Sequence, residues 1–173
     1  NLTNPIVRNM ATIGGSIWGR FGFSDVLTVF MALDSYVELY KGGIIPMSEF
    51  SQMKYDRDIL MNIIVKKKSC KCVYDSVRIQ KTDFPVLTCA ASIIDGEYKI
   101  VIGARSGKAR LYNDEKSILA DGITQESAAA LAKELSKLVP TSSNSRGSKT
   151  YRSNETYNAP YLFLFWSFYY CTM

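Results

Sequence analysis

Apolar residues recur at helical spacing after Ser24, and an alternating segment follows them. The helical positions are Val26, Leu27, Phe30 and Leu33. Ser24 is the predicted N-cap, and Asp25 lies in the first turn, where the helix dipole favours a carboxylate. Residues 36–40 alternate between apolar and polar side chains, which predicts a short strand before the Gly42-Gly43 turn.

The middle of the chain predicts two further strands. Residues 58–66 are rich in β-branched side chains and are predicted to form a well-buried strand. Residues 71–79 alternate, and we predict that they pair with residues 58–66 across a turn at residues 66–68. These three turn residues are all lysines. Such a run is a candidate anion patch, but it is more typical of a solvated hairpin tip.

The second half predicts an antiparallel sheet and a helix. Residues 84–94 and 97–104 are predicted strands joined by an Asp95-Gly96 hairpin, and residues 108–112 form a third strand. A helix is predicted from Thr124, its N-cap, to Pro140. Its apolar face consists of Ala128, Leu131, Leu135 and Leu138. Strands followed by helices indicate an α+β fold class in two lobes that divide between residues 66 and 85.

The segment from residue 8 to 25, RNMATIGGSIWGRFGFSD, contains glycines in two places. Gly14 and Gly15 lack a Cβ, so their backbone amides can approach a phosphate, and the hydroxyls of Thr12 and Ser16 can add hydrogen bonds. The pattern is not G-x-G-x-x-G after a strand, and it lacks the lysine of a P-loop. By itself it favours a tight scaffold turn over a phosphate cradle.

Composition removes several kinds of chemistry. The 173 residues include no histidine, which excludes Ser-His-Asp and Cys-His catalysis and His-ligated zinc. Cys70 and Cys72 form a C-x-C pair without a second pair at metal-ligand spacing. Part of an iron–sulfur or zinc site is one interpretation. We favour two ordinary thiols, one on each face of a strand, and predict no metal site and no catalytic side chain.

The net charge of +5 is mild and suits an anionic cofactor as well as it suits nucleic acid. No helix or strand has a basic stripe with interleaved aromatic residues, so we predict no nucleic-acid partner. Residues 140–154 are polar and are predicted to be a linker. Residues 159–173 lack charge but are shorter than the ~20 residues of a membrane helix, so we expect no membrane span.

The segment VRNMATIGGSIWGRFGFSDVLTVFMALDSYVELY, residues 7–40, resembles the FAD-binding subunits of the molybdenum hydroxylase family, the xanthine dehydrogenase and carbon monoxide dehydrogenase type. That family has the pattern R-N-x-A-T-I-G-G-N/S-I, a variable loop, and then S-D before a helix. Residues 58–65 resemble its E-I-L-x-x-I-x-I-P strand. Residues 83–93 resemble the entry to its C-terminal lobe, and residues 145–152 its R-x-S-x-x-Y-R signature.

The resemblance implies the second lobe of a vanillyl-alcohol-oxidase-type FAD-binding domain, followed by a lobe with a small three-stranded antiparallel sheet and helices. We place these at residues 1–70 and 71–154, before an atypical apolar tail at 155–173. The resemblance also implies which residues bind the cofactor. The diphosphate positions are Thr12, Ile13, Gly14, Gly15 and Ser16. Asp25 matches a carboxylate near the flavin polyol or diphosphate, and also fits a plain helix N-terminal acid.

Ile59 and Leu60 match apolar positions near the cofactor, although core packing demands the same residue types. A lysine that some members place near the flavin ring has two nearby candidates, Arg78 and Lys81, and the sequence selects neither. Two features depart from the family. Its other glycine loop, in an N-terminal lobe, has no counterpart in this chain, so we expect weak or no FAD binding by the chain alone. The tail is expected to be a frame-shifted or divergent end rather than an anchor.

The function implied is an FAD-dependent oxidoreductase subunit in the cytoplasm. In such an enzyme, electrons from molybdopterin on a large subunit pass through 2Fe–2S clusters on a small subunit to FAD, and then to NAD or another acceptor. The fragment alone is expected to be inactive. The alternative is a non-catalytic docking or scaffold module of such a complex.

Overall fold

The computed structural model describes residues 9–162. In its first half the elements are α1 (Ile13–Trp18), α2 (Asp25–Ala32), β1 (Ser35–Leu39), β2 (Gly43–Pro46), α3 (Met47–Gln52) and β3 (Leu60–Val65). The second half contains β4 (Cys70–Val77), β5 (Leu87–Ile94), β6 (Glu97–Gly103), β7 (Arg110–Asn113), α4 (Gln125–Leu138) and α5 (Lys149–Leu162). The predicted α+β class is confirmed. Among the described residues, no helix has the length and hydropathy needed to cross a membrane.

The first sheet has the strand order β2-β1-β3 and is antiparallel throughout. Alternate residues of β1 are buried, which gives the sheet one inner face. That face packs with α2 and α3 in a core that includes Leu27, Val37, Leu39 and Phe50. The turn between β1 and β2 includes Gly43 at a φ of +70°, the left-handed region that favours glycine.

The prediction of a well-buried strand at residues 58–66 was wrong in its burial. Ile59 is 62% exposed and Met61 is 53% exposed. Leu60 and Ile63 lie opposite Leu39 and Val37 of β1 and pack against the first core, whereas the other residues of β3 do not. Its β-branched composition correctly indicated a strand but did not determine how much of it other elements cover.

The predicted pairing of residues 71–79 with residues 58–66 was also wrong. β4 instead pairs antiparallel with β5, from Cys70 opposite Ile94 to Val77 opposite Leu87. The second sheet therefore has four strands in the order β4-β5-β6-β7, rather than three. This pairing lets the apolar positions of β4, Val73 and Val77, pack into the core beneath α4. A hairpin with β3 would leave that core uncovered.

The three lysines between β3 and β4 are consequently not at a hairpin tip. Lys68 Nζ lies 3.2 Å from Asp34 and 2.8 Å from Asp95, and Lys66 donates a 3.0 Å hydrogen bond to the Tyr36 hydroxyl. Lys68 thus links the start of β1 to the β5–β6 turn. Two of the three lysines already have protein partners, so the run offers few free positive charges to a bound anion.

Both faces of the second sheet are covered. Side chains of β5 alternate between Cys89 and Ala91, which face α4, and Ala90, which faces α2. Ala90 and Val101 share a core with Leu27 of the first half. The sheet is therefore the middle layer between α2 on one side and α4 with α5 on the other, and the hydrophobic core joins both halves of the chain.

The helix caps at Ser24 and Thr124 and the hairpin turn at Asp95-Gly96 were predicted correctly. The Ser24 hydroxyl accepts a 3.2 Å hydrogen bond from the Leu27 amide at the start of α2, and Thr124 forms a capping box with Ser127 at the start of α4. Asp95 and Gly96 both have positive φ, as a two-residue hairpin requires. The linker predicted at residues 140–154 was wrong at its end, because α5 begins at Lys149. The tail from residue 163 lies outside the described residues.

Candidate functional site

Gly14 and Gly15 lie in the first turn of a short helix, α1, and not in the turn that the sequence favoured. Thr12 is its N-cap: the Thr12 hydroxyl accepts a 3.0 Å hydrogen bond from the Gly15 amide. The Ser16 amide donates to the Thr12 carbonyl, also at 3.0 Å. Two groups of the predicted cradle, the Thr12 hydroxyl and the Gly15 amide, therefore hold each other.

The amides of Ile13 and Gly14 precede the first intrahelical hydrogen bond and have no helical carbonyl to pair with. A Cβ at Gly14 would meet no heavy atom within 4 Å, whereas a Cβ at Gly15 would lie 3.0 Å from the Thr12 hydroxyl. Ile13 is 55% exposed. Within residues 9–162, the helix start is thus least crowded at Ile13 and Gly14, whose amides have no helical partner.

α1 is joined to the start of α2. The Ser24 hydroxyl donates a 3.4 Å hydrogen bond to the Ser16 carbonyl, and the same oxygen caps α2. The diphosphate positions and Asp25 are therefore parts of one local structure, because a single serine contacts both helices. α1 also lies beside β3.

Asp25 is 7% exposed and occupies the first turn of α2. One of its oxygens, Oδ1, accepts hydrogen bonds from the Tyr74 hydroxyl and from the Arg78 guanidinium. Arg78 also donates to the Ser76 hydroxyl at 2.9 Å and to the Asp83 carbonyl. Burial and then the hydrogen bond to Asp25 raise the pKa of Tyr74. Asp25 is therefore a helix N-terminal acid, as one of its two predicted roles requires, and it belongs to a polar cluster beside α1. Its role near the cofactor stays a prediction.

The sequence did not predict the partners of Asp25. Tyr74 and Ser76 share one face of β4 because they are two residues apart, and Arg78 follows at the same spacing just beyond the strand. That spacing was the available signal. The spacing could not indicate a contact with Asp25 because residues 71–79 were expected to pair with β3. Of the two candidates near the predicted cofactor, the structure places Arg78 against Asp25, whereas Lys81 is exposed.

Ile59 and Leu60 have different environments. Leu60 is partly buried against the first core, whereas the Ile59 side chain projects into solvent. The Ile59 amide donates a 2.8 Å hydrogen bond to the Asp58 carboxylate, which also accepts from the amides of Lys41 and Gly42. Packing in the described residues accounts for Leu60. It leaves the exposed Ile59 without a structural reason to be apolar.

Cys70 and Cys72 lie on the same face of β4, because residues two apart on a strand point the same way. The prediction that they lie on opposite faces was wrong. Burial, followed by the charge of Cys70, raises the pKa of the Cys72 thiol, so this thiol is not activated. Within residues 9–162, no three His, Cys, Asp or Glu side chains come together as a set of metal ligands.

Solved structures of two oxidoreductases share the two-sheet α+β fold of this chain. Carbon monoxide dehydrogenase from Hydrogenophaga pseudoflava has the same fold over 92% of this chain and 61% of its own, with a TM-score of 0.78 and 17% identity. Quinoline 2-oxidoreductase from Pseudomonas putida 86 gives the same coverage and TM-score at 16% identity.

Residues 1–67 match the family model described as the FAD binding domain in molybdopterin dehydrogenase. The uncharacterized protein YgfM of Escherichia coli K12 is 31% identical over 128 residues, or 73% of this chain. The chain spans about half the length of that relative, 49%. The predicted resemblance is thus confirmed by the family model for residues 1–67, and the predicted fold is confirmed by the structural likeness.

Proposed function

We propose that this chain is part of the FAD-binding subunit of a molybdopterin-dependent dehydrogenase or hydroxylase. The observation that supports it is the coincidence of two features. Residues 1–67 match an FAD-binding domain, and the T-I-G-G segment within them begins a helix at which a Cβ on Gly14 would meet no heavy atom within 4 Å. An anionic diphosphate is the group that such a helix start attracts.

The residues present fit that cofactor in part. The amides of Ile13 and Gly14 would bind a diphosphate oxygen, and the exposed Ile59 offers an apolar surface to a ring or ribose. The diphosphate would not contact Thr12, Gly15 or Ser16 directly. These residues would instead fix the helix start through the Thr12 cap. Asp25 would position α2 through Arg78 and Tyr74 and keep its second oxygen for a hydroxyl of the polyol. When bound, FAD would supply the redox chemistry.

The partners belong to the same proposal. We assign molybdopterin to a large subunit and 2Fe–2S clusters to a small one, with NAD or another acceptor at the end of the electron path. A cytoplasmic location, and lobes at residues 1–70 and 71–154, complete the proposal. Support comes from the carbon monoxide dehydrogenases that share this fold, which are molybdenum enzymes. The described residues of this chain contribute no histidine and no metal-ligand group of their own.

A docking or scaffold module is the second candidate. It is favoured by the way this chain uses its own polar groups, since the Thr12 hydroxyl, the Gly15 amide and Asp25 Oδ1 all have protein partners. The two functions differ in one measurable property. A cofactor-binding subunit binds FAD saturably even if weakly, and a pure docking module does not bind it.

The Gly14→Val variant tests the cofactor proposal. A branched side chain at Gly14 fits the protein, because its Cβ meets nothing, but it would cover the amides that a diphosphate needs. We expect weak, saturable FAD binding by the wild-type chain, and a dissociation constant about tenfold higher in the variant, which is the loss of roughly one hydrogen bond to a charged group. Equilibrium dialysis against FAD measures both.

Ala130→Val, the same kind of enlargement on the exposed face of α4, is the control and should leave FAD affinity unchanged. Thermal unfolding of all three proteins should coincide within a few degrees. Absence of saturable FAD binding by the wild-type chain would contradict cofactor binding by these residues alone. Equal affinity of wild-type and Gly14→Val chains would remove Gly14 from the site.

A further inference from the structure

Arg152, in the first turns of α5, is the largest of the fully buried side chains and is 1% exposed. Its guanidinium donates to the carbonyls of Val86, Ser142 and Gly147 at 3.1, 2.6 and 3.1 Å. It also donates to the Asn144 side-chain oxygen at 2.7 Å and to the Ser106 hydroxyl. Every acceptor is neutral. Within residues 9–162 no carboxylate lies at ion-pair distance, so its positive charge is buried without a counter-charge.

Arg105, which is 7% exposed, is also without a carboxylate and donates to the carbonyls of Lys108 and Pro140. Arg78 contacts Asp25, and Arg20 lies 3.9 Å from Asp56. Arg152 differs from Arg105 because a second arginine lies beside the same cavity. The carbonyl contacts of Arg152 explain how the side chain holds the loop before α5 in place. They satisfy hydrogen bonds but do not neutralise the charge, and an uncompensated buried charge is costly.

A cavity of about 330 Å³ adjoins Arg152. Its lining combines short polar side chains with backbone of the glycine segment, and includes Gly22, Phe23, Ser106, Ser143, Asn144 and Arg146. None of the lining residues is Asp or Glu. A volume of this size holds a small ion or the charged end of a larger molecule together with water.

Arg146 is the second cation of this cavity. Its guanidinium carbon lies 5.5 Å from the ring centre of Phe23 and 5.0 Å from that of Phe84, which keeps the side chain at the wall. No carboxylate of the described residues pairs with it. Burial, and then the charge of Arg146, lower the pKa of Arg152. Two positive charges therefore border a cavity whose lining has no acidic residue. Holding the loop before α5 in place explains Arg152 but does not explain Arg146.

We propose that this cavity binds an oxyanion, a phosphate or carboxylate group held between Arg146 and Arg152. Arg146 makes no side-chain hydrogen bond within residues 9–162, so its guanidinium can bind either kind of oxyanion through paired N–H donors, and the buried Arg152 adds its positive charge. The Ser143 hydroxyl accepts from the Lys149 amide at 2.9 Å, which leaves its proton available to the bound anion. The lining contains none of the residues proposed for the FAD diphosphate, so this site is additional to that function.

Isothermal titration of the purified chain with inorganic phosphate, at constant ionic strength kept with sodium chloride, tests the proposal. The informative variant is Arg146→Gln, because this side chain is only half-buried and the buried contacts of Arg152 stay intact. We expect the wild-type chain to bind phosphate and the variant to bind it about tenfold or more weakly. A parallel titration with acetate distinguishes a phosphate site from a carboxylate site, and binding of either anion supports the proposal.

Two controls separate this site from general charge effects. Lys133→Gln removes one positive charge from the exposed surface of α4 and should change the affinity by no more than about twofold. Ala130→Val, an uncharged change on the same exposed surface, should leave it unchanged. If neither anion binds above the chloride background, or if Arg146→Gln weakens binding no more than Lys133→Gln does, the proposal is overturned.

Discussion

Gly22→Ala is expected to lower the free energy of unfolding by about 3 kcal/mol, toward the upper end of overpacking effects. A Cβ at Gly22 would lie 1.9 Å from the Gly107 carbonyl oxygen and 2.8 Å from the Gly107 carbonyl carbon. Both are backbone atoms, so no side chain can rotate away and the two segments must separate. For a chain of this size the midpoint of thermal unfolding should fall by roughly 6–12 °C.

The reason is a backbone contact between the glycine segment and the end of β6. The Ala104 amide donates a hydrogen bond to the Gly22 carbonyl, and a Cβ at Gly103 would itself lie 2.7 Å from that carbonyl oxygen. Separating the two segments would lengthen this bond. It would also loosen the attachment of α2 to the second sheet.

Gly14→Ala is the matched control, because a Cβ there meets nothing within 4 Å and alanine favours a helix more than glycine does. Its stability should equal or slightly exceed that of the wild type. Chemical denaturation followed by circular dichroism compares the three proteins. A loss below about 0.5 kcal/mol in Gly22→Ala, the range of ordinary surface substitutions, would contradict the close contact.

Asp25→Asn is expected to cost about 3 kcal/mol, because it leaves the Arg78 guanidinium buried beside a neutral amide. The side chains of Arg78 and Asp25 are 11% and 7% exposed, so solvent screens their ion pair little. The same substitution also removes the carboxylate that we assign to the neighbourhood of the cofactor. A change in FAD binding by this variant alone would therefore not distinguish a direct contact from a loosened α2.

A double-mutant cycle with Arg78→Met makes that distinction. If Asp25 acts through Arg78, the two substitutions together should cost less than the sum of the single ones, with a coupling of about 1–3 kcal/mol. FAD affinity should follow stability across the three variants. A loss of FAD affinity in Asp25→Asn that persists in the double variant, beyond that of Arg78→Met, would assign the carboxylate a direct contact. Additive stabilities would refute the buried pair.

The glycines of the segment from residue 8 to 25 have different functions. Gly14 leaves space at a helix start, Gly15 makes room for the Thr12 cap, and Gly22 allows two stretches of backbone to touch. The sequence offered two interpretations of the segment, a phosphate cradle and a scaffold turn. Gly22 belongs to the scaffold. Gly14 is the position at which the cradle remains the better proposal.

The sequence by itself determined the features that depend on near neighbours. Ser24 and Thr124 were predicted as helix caps because a short hydroxyl side chain can bond only to amides two or three residues ahead. The hairpin at Asp95-Gly96 was predicted because it needs two residues that tolerate positive φ. The T-I-G-G and S-D motifs gave the resemblance, and with it the fold.

Only the tertiary structure decided which strands pair and which polar groups meet. Residues 71–79 have the alternation that any half-buried strand requires, and nothing within them distinguishes β3 from β5 as a partner. The choice depends on the core beneath α4, which Val73 and Val77 complete from a distance of many residues. The same choice placed Arg78 against Asp25. Arg152 was predicted to lie in a polar linker. It is instead a buried residue of α5, and its partners include the carbonyl of Val86, which is far away in sequence.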